Sequence, residues 1–267
     1  MAEIIHKELS YIVRGVLFDV YNQLGSNLAE SIYQQAVAIG LEGKGIACEA
    51  EKQFDVTYRD VPVGRFYVDV WVENGQLLLE LKVEPKIMPV HRAQAISYLK
   101  VTDADLAVVV NFGESSLADE RFPNYLRDKP SVFVWQEMSS GPDVPDPTLT
   151  KQILEALHRV HFELGSGFFH YVYRRATAVE LAHQQIGHDY LKKVPIYYHG
   201  IWVGEQETRL LLIEQKILLA AVAVKEVNEA MKAQLRSRLK HLGLSFGLLA
   251  NFHGTKLDVS IVRGQRI

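Results

Sequence analysis

The sequence predicts two α/β domains in tandem, each a central mixed sheet flanked by helices, and three observations carry that prediction. Residues 1 to about 127 recur at 141 to 267 with a constant offset of 140: Leu24-Gly25 returns as Leu164-Gly165, Tyr33 as Tyr173, Val63-Gly64 as Val203-Gly204, Gln94 as Gln234, Leu99-Lys100 as Leu239-Lys240 and Asn111-Phe112 as Asn251-Phe252. Each copy has the pattern of two helices, three strands in a meander, a helix and a further strand, which is the pattern of a sheet with helices packed on it. The 267 residues, 48% hydrophobic and 23% charged, suffice for two domains of ordinary size, each with its own core.

Leu9, Ile12, Val13, Val16, Leu17, Val20 and Leu24 follow the three-and-four spacing of an amphipathic helix, with Gly25 placed to end it. Asn27 is suited to cap a second helix running to about Gly43. Strands are expected at Cys48 to Tyr58, Gly64 to Val72 and Leu77 to Val83. Pro89, favoured in a first helical turn, opens a helix to Lys100, and Leu106 to Asn111 reads as a buried strand. Ser131 to Trp135 is a candidate closing strand, and the second copy repeats the order from Leu149. The expected domains are 1–138 and 148–267, joined by a Ser-, Gly-, Pro- and Asp-rich linker at 139–147.

Cys48, the single cysteine, excludes an internal disulfide and a cysteine-cluster zinc site and is read as packing. The first residues lack a basic segment followed by an apolar stretch, and the longest apolar run, Ile217 to Val224, is too short to span a bilayer. A cytoplasmic location with no membrane partner is the expectation. The net charge of -3 gives no general attraction for nucleic acid, so such binding needs a local patch. Lys232, Arg236, Arg238 and Lys240 form one candidate patch, with a solvated helix face as the alternative.

Asn74-Gly75 is a strong hairpin signal, because both central positions of the favoured tight turn need positive φ. With a two-residue loop, Glu73 pairs with Gln76, and counting outward sets Asp69 opposite Glu80. Alternation puts Val68, Val70, Val72, Leu77, Leu79 and Leu81 on one face and Asp69, Glu80 and Lys82 on the other. Facing carboxylates repel, whereas a divalent cation between them turns repulsion into ligation, and oxygen ligands suit Mg2+ or Mn2+. The alternative is a diagonal ion pair between Asp69 and Lys82 on a solvated face. In the second copy the offset gives His170 for Glu30, Arg209 for Asp69, Ala220 for Glu80 and Val222 for Lys82, while Leu210, Leu212, Ile217 and Leu219 are expected to keep the apolar face.

Asp69, ten intervening residues and Glu80-Leu81-Lys82 resemble the signature of the PD-(D/E)xK nuclease superfamily. Asn27-Leu28-Ala29-Glu30-Ser31-Ile32-Tyr33 resembles the motif of its GxxExxY group, and the likeness continues through Pro89 to Gln94 and Tyr98 to Lys100. Asn27 stands where that motif has Gly, and Val68 where the superfamily name has Pro. The resemblance implies two restriction-endonuclease-like (PD-(D/E)xK) domains in tandem, the second degenerate. It implies a metal held by Asp69, Glu80, the Leu81 carbonyl and Glu30, with Lys82, Glu80, Asp69 and Gln94 as the catalytic set and Mg2+ or Mn2+ as cofactor.

Glu30 has a second reading, as a charge at a helix N-terminus. His91, Gln94 and Tyr98 share a helix face, either bordering the site or touching substrate. His158 and His161 have a chelating spacing that ordinary packing explains equally well. Nucleic acid, with DNA the expected form, is the partner implied, and His91, Tyr98, Lys100, Arg209, Arg236 and Lys240 are its candidate contacts. The second copy is read as a scaffold or nucleic-acid-holding half of an intramolecular pseudo-dimer. The competing readings are a non-catalytic binding or regulatory module and hydrolysis of a small phosphoester.

Overall fold

A computed structural model describes residues 5–125, 132–134 and 144–264. In the first copy the order is α1 (Lys7–Leu24), α2 (Glu30–Glu42), β1 (Cys48–Tyr58), β2 (Val61–Val72), β3 (Leu77–Lys82), α3 (Pro89–Thr102), β4 (Leu106–Asn111) and β5 (Ala118–Pro123). The second copy gives α4 (Pro147–Leu164), α5 (His170–His183), β6 (His188–Tyr198), β7 (Ile201–Ile213), β8 (Ile217–Val222), α6 (Glu229–His241), β9 (Phe246–Asn251) and β10 (Asp258–Arg263). Each forms a five-stranded mixed sheet in sequential order, with β3 parallel to β4 and β8 parallel to β9. The chain makes two compact units, Met1–Val56 with Arg65–Ser131, and Thr57–Gly64 with Val132–Ile267, so the segment at the β1–β2 turn groups with the second unit. No described helix is long and apolar enough to cross a membrane.

In the first unit α1 and α2 cover one face of the sheet. Val13, Val16, Leu17 and Val20 of α1 and Tyr33, Val37 and Leu41 of α2 share a core with Val70 and Val72 of β2, Leu77, Leu79 and Leu81 of β3, and Val108 and Val110 of β4. The opposite face is covered as well, by α3 with buried Ala95 and Leu99, so every residue of β4 is buried. Arg92 ties α3 to β5, its Nε and Nη2 donating to the two Glu120 oxygens at 2.6 Å. That pairing holds Glu120 below the usual carboxylate range.

Several expectations need correction. Asn27 does not cap α2: the residue before the helix is Ala29, with no side-chain cap, and Asn27 takes a φ of 66° while its amide donates to Ser26 Oγ. The corner is held by Tyr33 instead. Its hydroxyl donates to the Gly25 carbonyl at 2.8 Å and accepts from Leu28 N–H at 3.1 Å, while its ring stacks on Phe112 at 4.1 Å. Gly25 has a φ of 74°, where a side chain would be strained, and its N–H closes α1 on Tyr21 O. Asn111, next to Phe112, clamps the loop after β3 by accepting from Glu84 N–H at 2.9 Å and donating to Glu84 O at 2.7 Å.

The second unit repeats this latch bond for bond. Tyr173 donates to Gly165 O at 2.9 Å, accepts from Phe168 N–H at 3.2 Å and stacks on Phe252 at 4.5 Å, and Asn251 brackets Val224. The glycine, tyrosine, asparagine and phenylalanine of the latch are among the residues that recur in both copies, and their recurrence is structural. Strands β5 and β10 close the two sheets. Of the expected closing strand, Ser131 and Trp135 lie outside the described residues and 132–134 have no regular structure, while of the linker 139–143 lie outside them too.

Removing the latch hydroxyl takes the partner from a part-buried glycine carbonyl and from the N–H of Leu28 or Phe168. Tyr33→Phe and Tyr173→Phe are each expected to lower the stability of their own unit by about 1–3 kcal/mol in chemical denaturation. Losses under about 0.5 kcal/mol would show that the latch contributes only ring packing.

Candidate active site

The hairpin β2–β3 sets the register that brings the charged residues together. Val70 pairs with Leu79, Trp71 with Leu78 and Val72 with Leu77, and one further step sets Asp69 opposite Glu80. The turn Glu73–Gly75 closes with Gln76 N–H on Glu73 O at 3.2 Å, and Asn74 and Gly75 have φ of 51° and 100°. A Cβ on Gly75 would approach Trp71 Cζ2 to 2.5 Å, so both dihedral and space demand glycine.

Glu80, Lys82 and Asp69 share a face as the alternation predicts, but α3 covers that face, and the reading of a solvated ion pair fails. The Glu80 side chain is 3% exposed and that of Lys82 13%. Lys82 Nζ donates to Glu80 Oε1 at 2.5 Å and to the Leu81 carbonyl at 2.9 Å. Asp69 Oδ2 accepts from Leu81 N–H at 2.7 Å. Gln94, one turn into α3, donates from Nε2 to Glu80 Oε1 at 2.6 Å and to the Tyr98 hydroxyl at 2.9 Å. Glu80 Oε2 is buried with no hydrogen-bond partner.

Burial, then the charge of Asp69, pushes Glu80 up to about 8 against the opposing pull of Lys82. Burial also raises Asp69, against its bond from Leu81 N–H and the charge of Lys82. Glu30, in the first turn of α2, is raised by partial desolvation, with Lys82 opposing and Asp69 and Glu84 adding. Burial pulls Lys82 down, but Glu80, Glu30 and Asp69 more than offset it, and the ammonium is held above its ordinary value. In all three carboxyls burial is the largest cause, with neighbouring carboxylates adding and Lys82 opposing, and such perturbed groups clustered together mark a candidate functional site.

His91 is 9% exposed, and its Nδ1 accepts from Met88 N–H at the start of α3. Tyr98 is 5% exposed, packs on Phe66 at 4.4 Å and orients Gln94. Lys100 is exposed. Gln34 is a residue that the sequence reading missed: one turn after Glu30, its Nε2 donates to the Asp69 carbonyl at 2.7 Å and fixes the strand at that carboxylate. Its spacing of four from Glu30 was the available signal. Of the two spaced histidines, His161 bonds the Gly254 carbonyl at 3.0 Å. Burial raises the Cys48 thiol, which sits near Ala38 O, in keeping with packing.

The second unit departs from the constant offset in its hairpin. Strand β7 has 13 residues against 12 in β2, and its pairing with β6 shifts register between Leu191 and Lys193. Leu211 therefore pairs with Leu219, Leu212 with Leu218 and Ile213 with Ile217. One step further, Leu210 faces Ala220, so Leu210 and not Arg209 takes the place of Asp69. The expected face of Leu210, Leu212, Ile217 and Leu219 is thus divided: Leu210 and Leu212 pack with Leu218, Ala220, Leu235 and Leu239, against which Val222 also rests. Arg209 is exposed at the shift, and Arg236 and Lys240 are exposed on α6.

Among the described residues no three His, Cys, Asp or Glu side chains form a ready metal cage. The donor set of the first unit is two facing carboxylates and a carbonyl, with Glu80 Oε2 unsatisfied. That set suits a hard cation that keeps part of its water shell, as Mg2+ does. The corresponding cluster of the second unit offers no such oxygen.

A mixed sheet between helices, with Asp and Glu-x-Lys on adjacent central strands, defines a nuclease-like α/β class. The family model of the PD-(D/E)XK nuclease superfamily matches residues 7–122 and again 147–264, and the chain belongs to that superfamily. No curated protein matches the chain. No solved structure matches it.

The raised carboxylates fix a pH dependence for the metal-free protein. A carboxyl with a folded pKa above its unfolded value favours folding below the unfolded value, and that contribution is lost as pH rises through the folded one. With Glu80 at about 8, and Asp69 and Glu30 shifted the same way, the melting temperature in EDTA should fall between pH 5 and 8. Glu80→Gln should flatten that slope and melt above the wild type at pH 8. Parallel slopes in the two proteins would contradict a buried, charge-strained Glu80.

Proposed function

We propose that the first unit is a metal-dependent nuclease that hydrolyses nucleic-acid phosphodiesters, DNA being the form we favour, and that the second unit is a scaffold or nucleic-acid-holding half. The observation carrying this reading is the buried group of Asp69, Glu80 and Lys82, with one Glu80 oxygen unsatisfied, set against Leu210, Ala220 and Val222 in the second unit. A fold that keeps its latch in both units but its charges in one does not need those charges for stability.

In this reading Asp69, Glu80 and the Leu81 carbonyl hold Mg2+ or Mn2+, with Glu30 contributing a further carboxylate. Such a cation, when bound, polarises a phosphoryl oxygen and makes bound water more acidic. Lys82 already touches both Glu80 and the Leu81 carbonyl. Its ammonium is placed to orient the attacking water or to take up charge growing on the phosphate. Gln94 holds Glu80 in place from α3, with Tyr98 behind it. His91 and Tyr98 serve in positioning, while Lys100, Arg209, Arg236 and Lys240 remain the exposed basic residues for nucleic acid.

The GxxExxY group is the branch we assign, because Glu30 and Tyr33 of that motif supply the added carboxylate and the latch. The domains are taken as 1–138 and 148–267 with a linker at 139–147, acting as a fused pair of repeats in the cytoplasm.

One observation favours a second reading, a dormant site in a binding module: Lys82 itself bonds the Glu80 carboxylate and the Leu81 carbonyl as an internal cation. Cleavage assays separate the two. With Mg2+ or Mn2+, the wild type should cleave single-stranded DNA, duplex DNA or RNA, and Asp69→Ala and Lys82→Ala should each reduce the rate by at least about a hundredfold while leaving the fold intact. Absence of cleavage of all three substrates with either metal would contradict the nuclease reading and favour the binding module.

A further inference from the structure

The recurring pair Val63-Gly64 and Val203-Gly204 takes no part in the latch or in the carboxylate group. Each follows a tight turn, β1–β2 in the first copy and β6–β7 in the second, with Arg59 and Asp60, and His199 and Gly200, at positive φ. The first of these tips is seated. Thr57–Gly64 groups with the second unit, where the Tyr58 hydroxyl donates to Glu180 Oε2 on α5 at 2.7 Å. Arg59 donates to the same carboxylate from Nε at 2.6 Å and from Nη2 at 3.3 Å. Gly64 lies so close to α5 that a Cβ on it would meet Val172 Cγ2 at 2.5 Å.

The equivalent pair of surfaces is open. Val172 of α5 is 0% exposed, whereas Ile32, at its place in α2, is 44% exposed, and Ile39 near the end of α2 is exposed as well. Tyr58 and Val63 are 4% and 0% exposed, whereas Tyr198 and Val203 at their places are 68% and 58% exposed. Tyr197, Ile201 and Trp202 are also exposed, and Tyr198 pairs with Ile201 and Tyr197 with Trp202, so the whole β6–β7 tip is apolar. A Cβ on Gly204, at the place of Gly64, would meet nothing within 4 Å. Clustered exposed apolar residues mark interaction surfaces, and Trp and Tyr are their usual anchors.

The charges of the two surfaces change together. Gly40 stands at the place of Glu180, and a Cβ there would meet Val16 Cγ1 at 2.5 Å, so α2 offers no carboxylate. His199 stands at the place of Arg59, so the second tip brings no guanidinium that α2 would leave unpaired. Trp202 stands at the place of Pro62 and adds apolar surface. The ionic anchor is thus absent from both sides, and an apolar tip faces an apolar helix.

We propose that the protein self-associates through these surfaces, the β6–β7 tip of one copy seating on α2 of another as the β1–β2 tip seats on α5. Both surfaces are exposed in a single chain, which makes a second chain the occupant. Reciprocal seating closes a dimer, and one-way seating extends a row of chains. The residues involved lie outside the carboxylate group, so the proposal does not rest on the nuclease reading.

Sedimentation equilibrium of the whole protein, without metal or nucleic acid, tests this. The wild type should associate reversibly to a dimer or a larger species. The tip variant Ile201→Ser/Trp202→Ser and the helix variant Ile39→Lys should each weaken association by at least about tenfold, as the loss of an interface anchor does. All three positions are exposed, so both variants should keep the circular dichroism of the wild type. Mixing the two variants should restore association, because each supplies the surface that the other lacks. A wild type that stays monomeric at about 100 μM, association that either variant leaves unchanged, or a mixture no better than the variants alone overturns the proposal. A monomeric protein whose tip variant binds a single-stranded oligonucleotide less tightly would assign the tip to nucleic acid instead.

Discussion

The buried carboxyl of Glu80 constrains the first unit more than any other group. It sits in the middle of a strand whose other residues are leucines and a lysine, facing Asp69 and covered by α3. Everything near it is arranged around negative charge that water cannot reach. Leu81 N–H holds Asp69, Lys82 and Gln94 share one Glu80 oxygen, and the other oxygen has no partner. A strand selected only for packing would place an apolar residue there, because burying an unsatisfied carboxyl opposes folding.

The second unit makes that alternative visible within the same chain. Its sheet, its Tyr173–Phe252 stack and its Asn251 clamp match those of the first unit, while Leu210, Ala220 and Val222 fill the place of the charges. Two tasks are thus separable. The latch of tyrosine, phenylalanine, glycine and asparagine fixes how the first two helices meet the sheet. The hairpin face beneath the third helix is free to carry chemistry or to be plain core.

The site was legible in the sequence where local physics dictates geometry. Asn74-Gly75 fixes the turn, the turn fixes the register, and the register places Asp69 against Glu80. Pro89 marked the start of α3 for the same kind of reason. What escaped depends on tertiary contacts. Strand β5, Ala-Asp-Glu-Arg-Phe-Pro, is polar and shows no alternation, because it is an edge strand held by its neighbour. The capping role given to Asn27 was displaced by the hydroxyl of Tyr33, which has no local signature. That α3 buries the polar face could not be read from alternation alone. The extra residue in β7 leaves the offset unchanged, since the following turn is one residue shorter, so Arg209 aligned with Asp69 in sequence but not in space.

The central claim is that one unit of this duplicated chain holds a divalent cation and the other does not. Calorimetric titration of the whole protein with Mn2+ measures this directly. The account predicts one cation per chain, with protons released near neutral pH as the raised carboxyls ionise, and no binding after Glu80→Gln. Two cations per chain, none, or binding that Glu80→Gln leaves unchanged would contradict it.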